Sequence, residues 1–362
     1  METVCKLNEC TGCSACVDKC PKGAITIVDS IQALNAEINN KLCIHCNLCY
    51  KTCPNINKVE LKEQLMWKQG WAVNPEIRAK SSSGGLAAVI SQYFIKNGGI
   101  VWSCEFGKGN FIFSYAENIE ELTKFRGSKY VKSSPAGSYR QIEAQLKDGK
   151  KILFIGLPCQ VAGLKNFINE QFHKKLYTID LICHGTPSQM ILKNYLENDL
   201  KLPIENFSNL NFRIKTQFML CEEEKTLLPN KSIDRYTMAF MNGLDYTHNC
   251  YSCRYAQQKR VSDITLGDSW GTTLPDEQKG ISLILCQTAK GKELLESEDI
   301  YLADVDVNRA LKFNHQLNYP TRYTETTDNF FKFYLKKYNL KKTVFKIYPK
   351  WCIKEDLKKY LN

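Results

Sequence analysis

The sequence predicts an α+β fold with a small cysteine-rich module first and a larger α/β domain after it. Three observations lead to this prediction: 17 cysteines in 362 residues, a cysteine spacing that repeats within residues 10–53, and alternating strand and helix patterns from residue 70 onward. Apolar residues make up 43% of the chain, which is enough for a substantial core. We place the module at residues 1–58, the α/β domain at 69–300 and a C-terminal helical extension at 301–362.

Two cysteine runs in the module share one spacing. Each run has three cysteines at intervals of three residues and a fourth, followed by proline, four residues later. This is the spacing of bacterial ferredoxins, in which the fourth cysteine of each run binds the other cluster. Zinc sites use two close pairs of cysteines instead. We therefore predict two 4Fe–4S clusters, the first on Cys10, Cys13, Cys16 and Cys53 and the second on Cys20, Cys43, Cys46 and Cys49.

Short patterns place the next elements. Residues 24–27 and 36–38 are predicted to form a hairpin over the clusters, and a lysine-rich bridge at 55–68 leads to a strand at 70–73. A serine and glycine loop at 81–85 precedes a helix that begins at Leu86 and ends before Gly98. The backbone N–H groups of this loop suit a phosphate, although an ordinary serine cap and turn remains an alternative.

A βαβ unit follows, with strands at 151–157 and 176–183 and a helix at 160–169. A further helix is predicted with Thr186 as its cap and Pro187 in its first turn. The two strands should be parallel neighbours, so Cys159 and Cys183 leave the sheet at the same carboxyl edge, where open α/β folds bind ligands.

A second cysteine pair comes before a predicted strand at 262–267. Together with Cys159 and Cys183, the pair Cys250 and Cys253 would supply four thiolates for a third 4Fe–4S cluster. Alternatives remain open, because a single pair of this spacing also suits zinc or a redox dithiol, and the other two cysteines could be buried free thiols.

The charge and the apolar pattern exclude some partners. A 4Fe–4S core with four thiolates carries about −2, so three clusters would lower the formal charge of +11 to about +5. We therefore do not expect nucleic acid as a partner. The apolar runs are too short for a membrane span, and the first residues do not resemble a signal peptide. So many thiols without an export signal indicate metal ligation in a reducing, cytoplasmic location.

Five motifs, in this order, resemble the family of coenzyme F420 hydrogenase/dehydrogenase beta subunits, and the resemblance runs from the cysteine repeat to about residue 300. The motifs are KSSSGG at 80–85, RGSKYV at 126–131, GLPCQVAGL at 156–164, CHGTPS at 183–188, and the cysteine pair at 250–253 with SDITLGDSWG at 262–271.

The resemblance implies a flavoenzyme that binds FAD in the α/β domain beside a 4Fe–4S cluster. Such proteins move electrons between iron–sulfur carriers and a hydride acceptor, which for some members is coenzyme F420. Flavin is the common link between one-electron clusters and two-electron chemistry. By this resemblance the FAD phosphates would contact Ser82, Ser83, Gly84 and Gly85. Lys129 and Tyr130 would lie near the cofactor, with a solvated basic surface as the alternative.

Two histidines are candidate proton donors near the predicted third cluster. His184 follows Cys183, and His248 precedes Cys250 by two residues. Imidazole can deliver a proton near neutral pH. The alternative for each is a histidine that only hydrogen-bonds its own loop.

These observations predict an iron–sulfur flavoprotein oxidoreductase. We expect it to pass electrons from reduced ferredoxin or another low-potential donor through the clusters to FAD and on to a small-molecule substrate. The family's association with surface polysaccharides suggests an intermediate of polysaccharide synthesis. The alternatives are an F420-dependent oxidoreductase and a non-catalytic electron-transfer subunit of a larger complex. A homo-oligomer is among the expected assemblies.

Overall fold

The computed structural model describes residues 2–223 and 225–360. The first predicted domain therefore has residue 1 outside the described residues, and the last has residues 361 and 362 outside them. The fold is mixed α+β. Its strands are β1 (Ile25–Asp29), β2 (Leu34–Ile38), β3 (Met66–Ala72), β4 (Gly99–Gly107), β5 (Asn110–Ala116), β6 (Lys151–Gly156), β7 (Leu176–Leu181), β8 (Leu210–Ile214), β9 (Gln217–Glu222), β10 (Lys225–Thr226), β11 (Ile264–Asp268), β12 (Ser282–Cys286) and β13 (Ile300–Asp304).

The helices vary from short turns in the module to longer helices around the sheet. They are α1 (Ala15–Lys19), α2 (Leu48–Thr52), α3 (Pro75–Ala79), α4 (Leu86–Lys96), α5 (Ser138–Lys147), α6 (Pro158–Phe167), α7 (Gln189–Asn194), α8 (Arg235–Met241), α9 (His248–Tyr251), α10 (Ala289–Glu293), α11 (Val307–Phe313), α12 (Glu325–Lys337), α13 (Leu340–Ile347) and α14 (Pro349–Lys358). Among the described residues, none of these helices is both long and apolar enough to span a membrane.

One eight-stranded sheet organises the α/β domain, in the order β13-β3-β12-β11-β7-β6-β4-β5. The strands β11, β7, β6 and β4 are parallel neighbours, which confirms the predicted parallel pairing within the βαβ unit. The strands β12, β3, β13 and β5 add antiparallel pairs on the two sides. The sheet is therefore mixed, with its parallel part in the middle.

Both faces of the sheet are covered. On one face, α4 buries Leu86, Ile90 and Phe94 against the strands, so the predicted helix and its apolar side are confirmed. On the other face, α5 and α6 bury Tyr139 and Val161. This two-sided burial explains why the parallel strands are continuous apolar runs.

Two element starts differ from the sequence prediction. The strand β3 begins four residues before the predicted strand, at Met66, and it lies between β12 and β13. Helix α7 is capped by Ser188, whose hydroxyl accepts a hydrogen bond from the backbone N–H of Met190, and not by Thr186. The reason is that Thr186 accepts a backbone hydrogen bond from Thr247, which keeps this segment extended.

The C-terminal part contributes to both the sheet and the core. The predicted boundary at residue 300 is the first residue of β13, which pairs with β3. Farther on, α12 buries Phe330, Phe331 and Tyr334 in a cluster that includes Phe212. The three-stranded sheet β10-β9-β8 packs beside this cluster.

The cysteine-rich module is docked on the α/β domain by polar contacts. The side chain of Asp18 accepts hydrogen bonds from the backbone N–H groups of Gly137 and Tyr139, at 2.7 and 3.1 Å, at the start of α5. The hydroxyl of Ser188 donates to Asp29 at 2.6 Å, at the end of β1. The predicted hairpin is present, with β1 paired to β2 in antiparallel register.

Candidate metal centres

The two cysteine loops of the module share one backbone geometry. Gly12 and His45 both have left-handed φ angles, of +69° and +54°. Their backbone N–H groups donate to the sulfurs of Cys10 and Cys43, each at 3.4 Å. Such N–H to sulfur bonds favour thiolates, which are the ligands that iron–sulfur clusters require.

The structure brings together the predicted ligands of the first cluster. Each of the four sulfurs belongs to a residue that is at most 7% exposed: Cys10, Cys13, Cys16 and Cys53. Burial raises the pKa of Cys13 to about 11, and it raises the pKa of Cys16 further. Buried thiolates therefore need a positive charge beside them, which iron would supply.

Cys5, which the sequence motif does not include, also lies in this group. Its thiol is hydrogen-bonded with Cys10, which contributes most to raising the pKa of Cys5 to about 11, and it also contacts Cys53. The side chain of Asn55 donates to the Cys5 sulfur at 3.7 Å. The position of Cys5 outside the repeated spacing gives no sequence signal for this contact.

The predicted ligands of the second cluster line one cavity of about 120 Å³ near the surface of the module. Cys20 reaches it from the first run, and its sulfur accepts a hydrogen bond from the backbone N–H of Ala24 at 3.3 Å. Cys46 is exposed, whereas Cys43 and Cys49 are half-buried. The crossed arrangement therefore fits a cluster that is reachable from outside the module.

The four predicted ligands of the third cluster also converge. Cys159 lies in the first turn of α6, just after β6. Cys183 follows β7, and Cys250 lies in α9, three residues before Cys253. Burial raises the pKa of Cys159, Cys183 and Cys253, and the neighbouring cysteines raise it further. Among the described residues, no three His, Cys, Asp or Glu side chains lie close enough for a single metal ion, while a four-iron cluster holds its thiolates farther apart.

Several donors surround the Cys250 sulfur. The hydroxyl of Thr247 and the amide of Asn249 each lie 3.6 Å from it, and the hydroxyl of Thr186 lies 3.9 Å from it. The ammonium of Lys132 is also 3.9 Å away. Burial lowers the pKa of Lys132, but four cysteine sulfurs raise it by more, so the net shift is upward. The donor set suits a sulfur that carries negative charge.

The first and third sites are adjacent. In α6, which carries Cys159 in its first turn, Gly163 packs directly on the first cysteine loop. A Cβ atom at Gly163 would lie 2.9 Å from the sulfur of Cys13. The absence of a side chain here lets the helix approach the first site closely.

Arg213 joins two of the residues predicted to contact FAD. It donates to the Ser82 carbonyl at 2.8 Å and to the Tyr130 hydroxyl at 3.2 Å. It also forms a two-pronged ion pair with Asp268, at 2.7 and 3.1 Å. Sequence reasoning missed Arg213, because nothing local marks this residue of β8 as the partner of two distant loops.

The other residues that the resemblance predicts to contact FAD make their contacts within the protein. The backbone N–H of Gly84 already donates to the hydroxyl of Ser282, and a Cβ there would lie 2.5 Å from the carbonyl oxygen of Gly70. Gly85 is the left-handed cap of α4, at φ +88°. The half-buried Lys129 ammonium donates to three backbone carbonyls of its own loop. Ser83 accepts a hydrogen bond from Lys215 through its carbonyl at 3.3 Å.

Positive charge collects beside the Ser82 loop. Lys215 donates to the carbonyls of Arg78 and Ser83. Burial, together with the like charges of Arg78 and Arg213, lowers the pKa of Lys215 to about 8. Arg213 and Lys215 lie near the carboxylate of Asp268, and Arg78 lies near that of Asp276. The three cations thus outnumber the two carboxylates, and an anionic group bound here would relieve their repulsion.

The two candidate proton donors are constrained by their neighbours. The Nδ1 atom of His184 lies 2.5 Å from the side-chain nitrogen of Gln316. The same nitrogen lies 2.7 Å from Nε2 of His315. Packing against protein atoms and the nearby His315 together lower the pKa of His184 to about 4, although the residue is exposed to solvent. Burial also lowers the pKa of His248. Both rings therefore favour the neutral form at pH 7.

Comparison with known protein families agrees with the cysteine pattern. Residues 9–57 match the family described as 4Fe-4S dicluster domain. Residues 149–307 match the family described as the C terminus of the beta subunit of coenzyme F420 hydrogenase/dehydrogenase. The second match includes Cys159, Cys183, Cys250 and Cys253.

Two relatives are oxidoreductases by name. The coenzyme F420-dependent sulfite reductase of Methanocaldococcus jannaschii is 22% identical over 331 residues, which are 85% of this chain and 50% of that protein. A subunit of the F(420)H(2) dehydrogenase of Methanosarcina mazei is 22% identical over 286 residues, or 73% of this chain and 78% of that protein. The chain thus spans about half the length of the first relative.

A solved structure shares the fold. A chain of the xenon-derivatized F420-reducing NiFe hydrogenase complex from Methanosarcina barkeri superposes with a TM-score of 0.51 and 18% identity, covering 71% of this chain and 91% of that one. This likeness concerns the fold alone. The two family matches identify the chain as one that combines a 4Fe–4S dicluster domain with a domain of the family of coenzyme F420 hydrogenase/dehydrogenase beta subunits.

Proposed function

We propose that this chain is an electron-transfer oxidoreductase subunit that exchanges electrons between 4Fe–4S clusters and coenzyme F420. The observation that carries the electron-transfer part is the continuous row of cysteine sites, which runs from exposed Cys46 through the buried first loop to Cys250. A row of neighbouring clusters is the typical path by which proteins pass single electrons.

The choice of coenzyme F420 rests on the relatives and on charge. Both relatives described above carry this coenzyme in their names. The coenzyme is anionic, with phosphate and carboxylate groups, and the cations of Arg78, Arg213 and Lys215 beside the Ser82 loop would attract it. This positive group also suits the phosphates of FAD.

FAD would have a distinct role in this proposal. Clusters deliver one electron at a time, whereas coenzyme F420 accepts a hydride, so a flavin would connect the two kinds of transfer. Ser82 and Tyr130 remain the proposed flavin contacts, joined by Arg213. FAD itself stays a prediction from the family resemblance.

The opposite end of the row suits a protein partner. Cys46 is exposed and the cavity of the second cluster opens near the surface, so ferredoxin or another low-potential iron–sulfur protein could exchange electrons there. A larger complex that contains this chain is the alternative arrangement. A polysaccharide intermediate as substrate, a homo-oligomer and a cytoplasmic location stay predictions.

A direct test uses the anaerobically purified holoprotein. Chemically reduced coenzyme F420 should reduce the clusters, seen as bleaching of their visible absorbance and as new electron paramagnetic resonance (EPR) signals. NADH and NADPH serve as comparison donors. Clusters that respond to dithionite but not to reduced coenzyme F420 would exclude this coenzyme as the partner.

The charge argument is tested separately. Lys215→Ala should weaken the apparent affinity for coenzyme F420 by about tenfold, because one cation of the site is lost. Lys312→Ala, which changes an exposed lysine on α11, is the matched control. Equal affinities for the two variants would place the anionic coenzyme elsewhere.

A further inference from the structure

Lys132 is a buried lysine that spans the first and third cluster sites. The residue is 6% exposed, and its backbone N–H donates to the carbonyl of Pro187 at 2.9 Å. Its aliphatic stem lies against the first loop, since a Cβ atom at Gly12 would be 3.8 Å from Lys132 Cδ. Its ammonium reaches to 3.9 Å from the Cys250 sulfur.

The strongest charged neighbours of this ammonium are sulfurs. In order of decreasing strength they are Cys250, Cys159, Cys183 and Cys10. A buried ammonium is costly unless an opposite charge faces it. Neutral thiols at these positions would leave the lysine uncompensated, whereas a 4Fe–4S cluster with four thiolates carries net negative charge. The lysine and a cluster therefore fit each other electrostatically.

We propose that Lys132 is the counter-charge of the third cluster and sets its reduction potential above that of the first. The inference rests on the third cluster of the proposed function. A nearby positive charge stabilises the reduced cluster, which is one unit more negative than the oxidised one. Because the ammonium lies 3.9 Å from the Cys250 sulfur, while the contact with the first loop at Gly12 is made by the aliphatic stem, the effect on the first cluster is smaller. An electron on the first cluster would then move inward, toward the α/β domain.

The experiment is a redox titration of the full chain, followed by EPR, with iron counted on the same samples. Lys132→Met and Lys132→Gln remove the charge, and Lys132→Arg keeps it. The signal that is absent from Cys250→Ser identifies the third cluster. Lys165→Met is the matched control, because Lys165 is a lysine of the same helix as Cys159, packed against the protein with its ammonium donating to the Val261 carbonyl.

In the neutral variants, the ratio of reduced to oxidised third cluster at a fixed potential should fall about tenfold, which is 59 mV for one electron. Lys132→Arg and Lys165→Met should stay near the wild type. Loss of four irons in the neutral variants but not in Lys132→Arg would also support the pairing. An unchanged potential, or the same loss of iron in Lys132→Arg, would overturn it. A wild-type content near eight irons would instead remove the third cluster and the proposed function with it.

Discussion

The two cysteine loops of the module have the same backbone but opposite surroundings. The first loop is buried, and α6 lies against Cys13 where Gly163 has no side chain. The second loop is open, with Cys46 exposed and hydrophobic side chains such as Leu42 and Ile44 about half exposed. One duplicated motif therefore supplies two different contacts, one to the interior of the same chain and one to the outside. The row of cysteine sites therefore has an exposed end and a buried end.

The largest effect should come from removing the third site, at the buried end of the row of cysteine sites. Cys250→Ser should remove about four of roughly twelve irons and leave the two clusters of the module reducible. Electrons from reduced ferredoxin should then reach a bound flavin only at the background rate, while a small chemical donor still reduces it. Stopped-flow absorbance with the two donors measures this. Unchanged reduction by ferredoxin would mean that Cys159, Cys183, Cys250 and Cys253 do not form the connecting site.

Matched serine variants of the two loops compare them directly. Cys16→Ser and Cys46→Ser should each lose about four irons. Only Cys16→Ser should also lower the melting temperature markedly, because Cys16 is buried while Cys46 is exposed. Thermal unfolding followed by circular dichroism is the measurement. Equal losses of stability would show that burial of the first loop contributes little.

A smaller effect, on the free energy of unfolding, is expected from adding a methyl group where α6 packs on the first loop. Gly163→Ala places a methyl group 2.9 Å from the Cys13 sulfur, and such overpacking typically costs about 1–3 kcal/mol. Denaturant unfolding under anaerobic conditions measures the change. Gly107→Ala, at the end of β4, is the control for a glycine substitution without crowding, because its φ is not left-handed and the nearest atom to the added methyl group is a carboxylate oxygen of Glu105 at 4.0 Å. A cost no greater than that of the control would argue that the two parts are not tightly packed.

The smallest effect concerns protons near the inner site. Since the folded pKa of His184 is lowered to about 4, the ring is already neutral between pH 6 and 8. His184→Asn should therefore leave the pH dependence of electron transfer unchanged in that range. Below pH 6.5 the His184 ring binds a proton in the unfolded chain but not in the folded chain. The free energy of unfolding of the wild type should therefore fall as the pH drops toward 4, and that of the variant should fall less. An altered pH profile near neutrality would restore His184 as a proton donor.

The sequence predicted those features of the fold and site that depend on residues close together in the chain. The repeated spacing predicted which cysteines of the module come together, and the βαβ pattern placed Cys159 and Cys183 at one edge of the sheet. Lys132 and Arg213 were not recognised, because each acts on partners that are distant in sequence. The cap at Thr186 was wrong for the same reason, since a backbone bond from Thr247 overrides the local pattern.

The position of β3 has a consequence for folding during synthesis. This strand follows the module directly, yet its neighbours in the sheet are β12 and β13, so it cannot pair until about 210 further residues have been made. Until then both of its edges remain open to other chains. The module, whose hairpin and cysteines all lie within the first 53 residues, can close long before that. Insertion of its two clusters is therefore separable in time from completion of the sheet, and a chain that stops before β12 would carry a finished module on an unfinished domain.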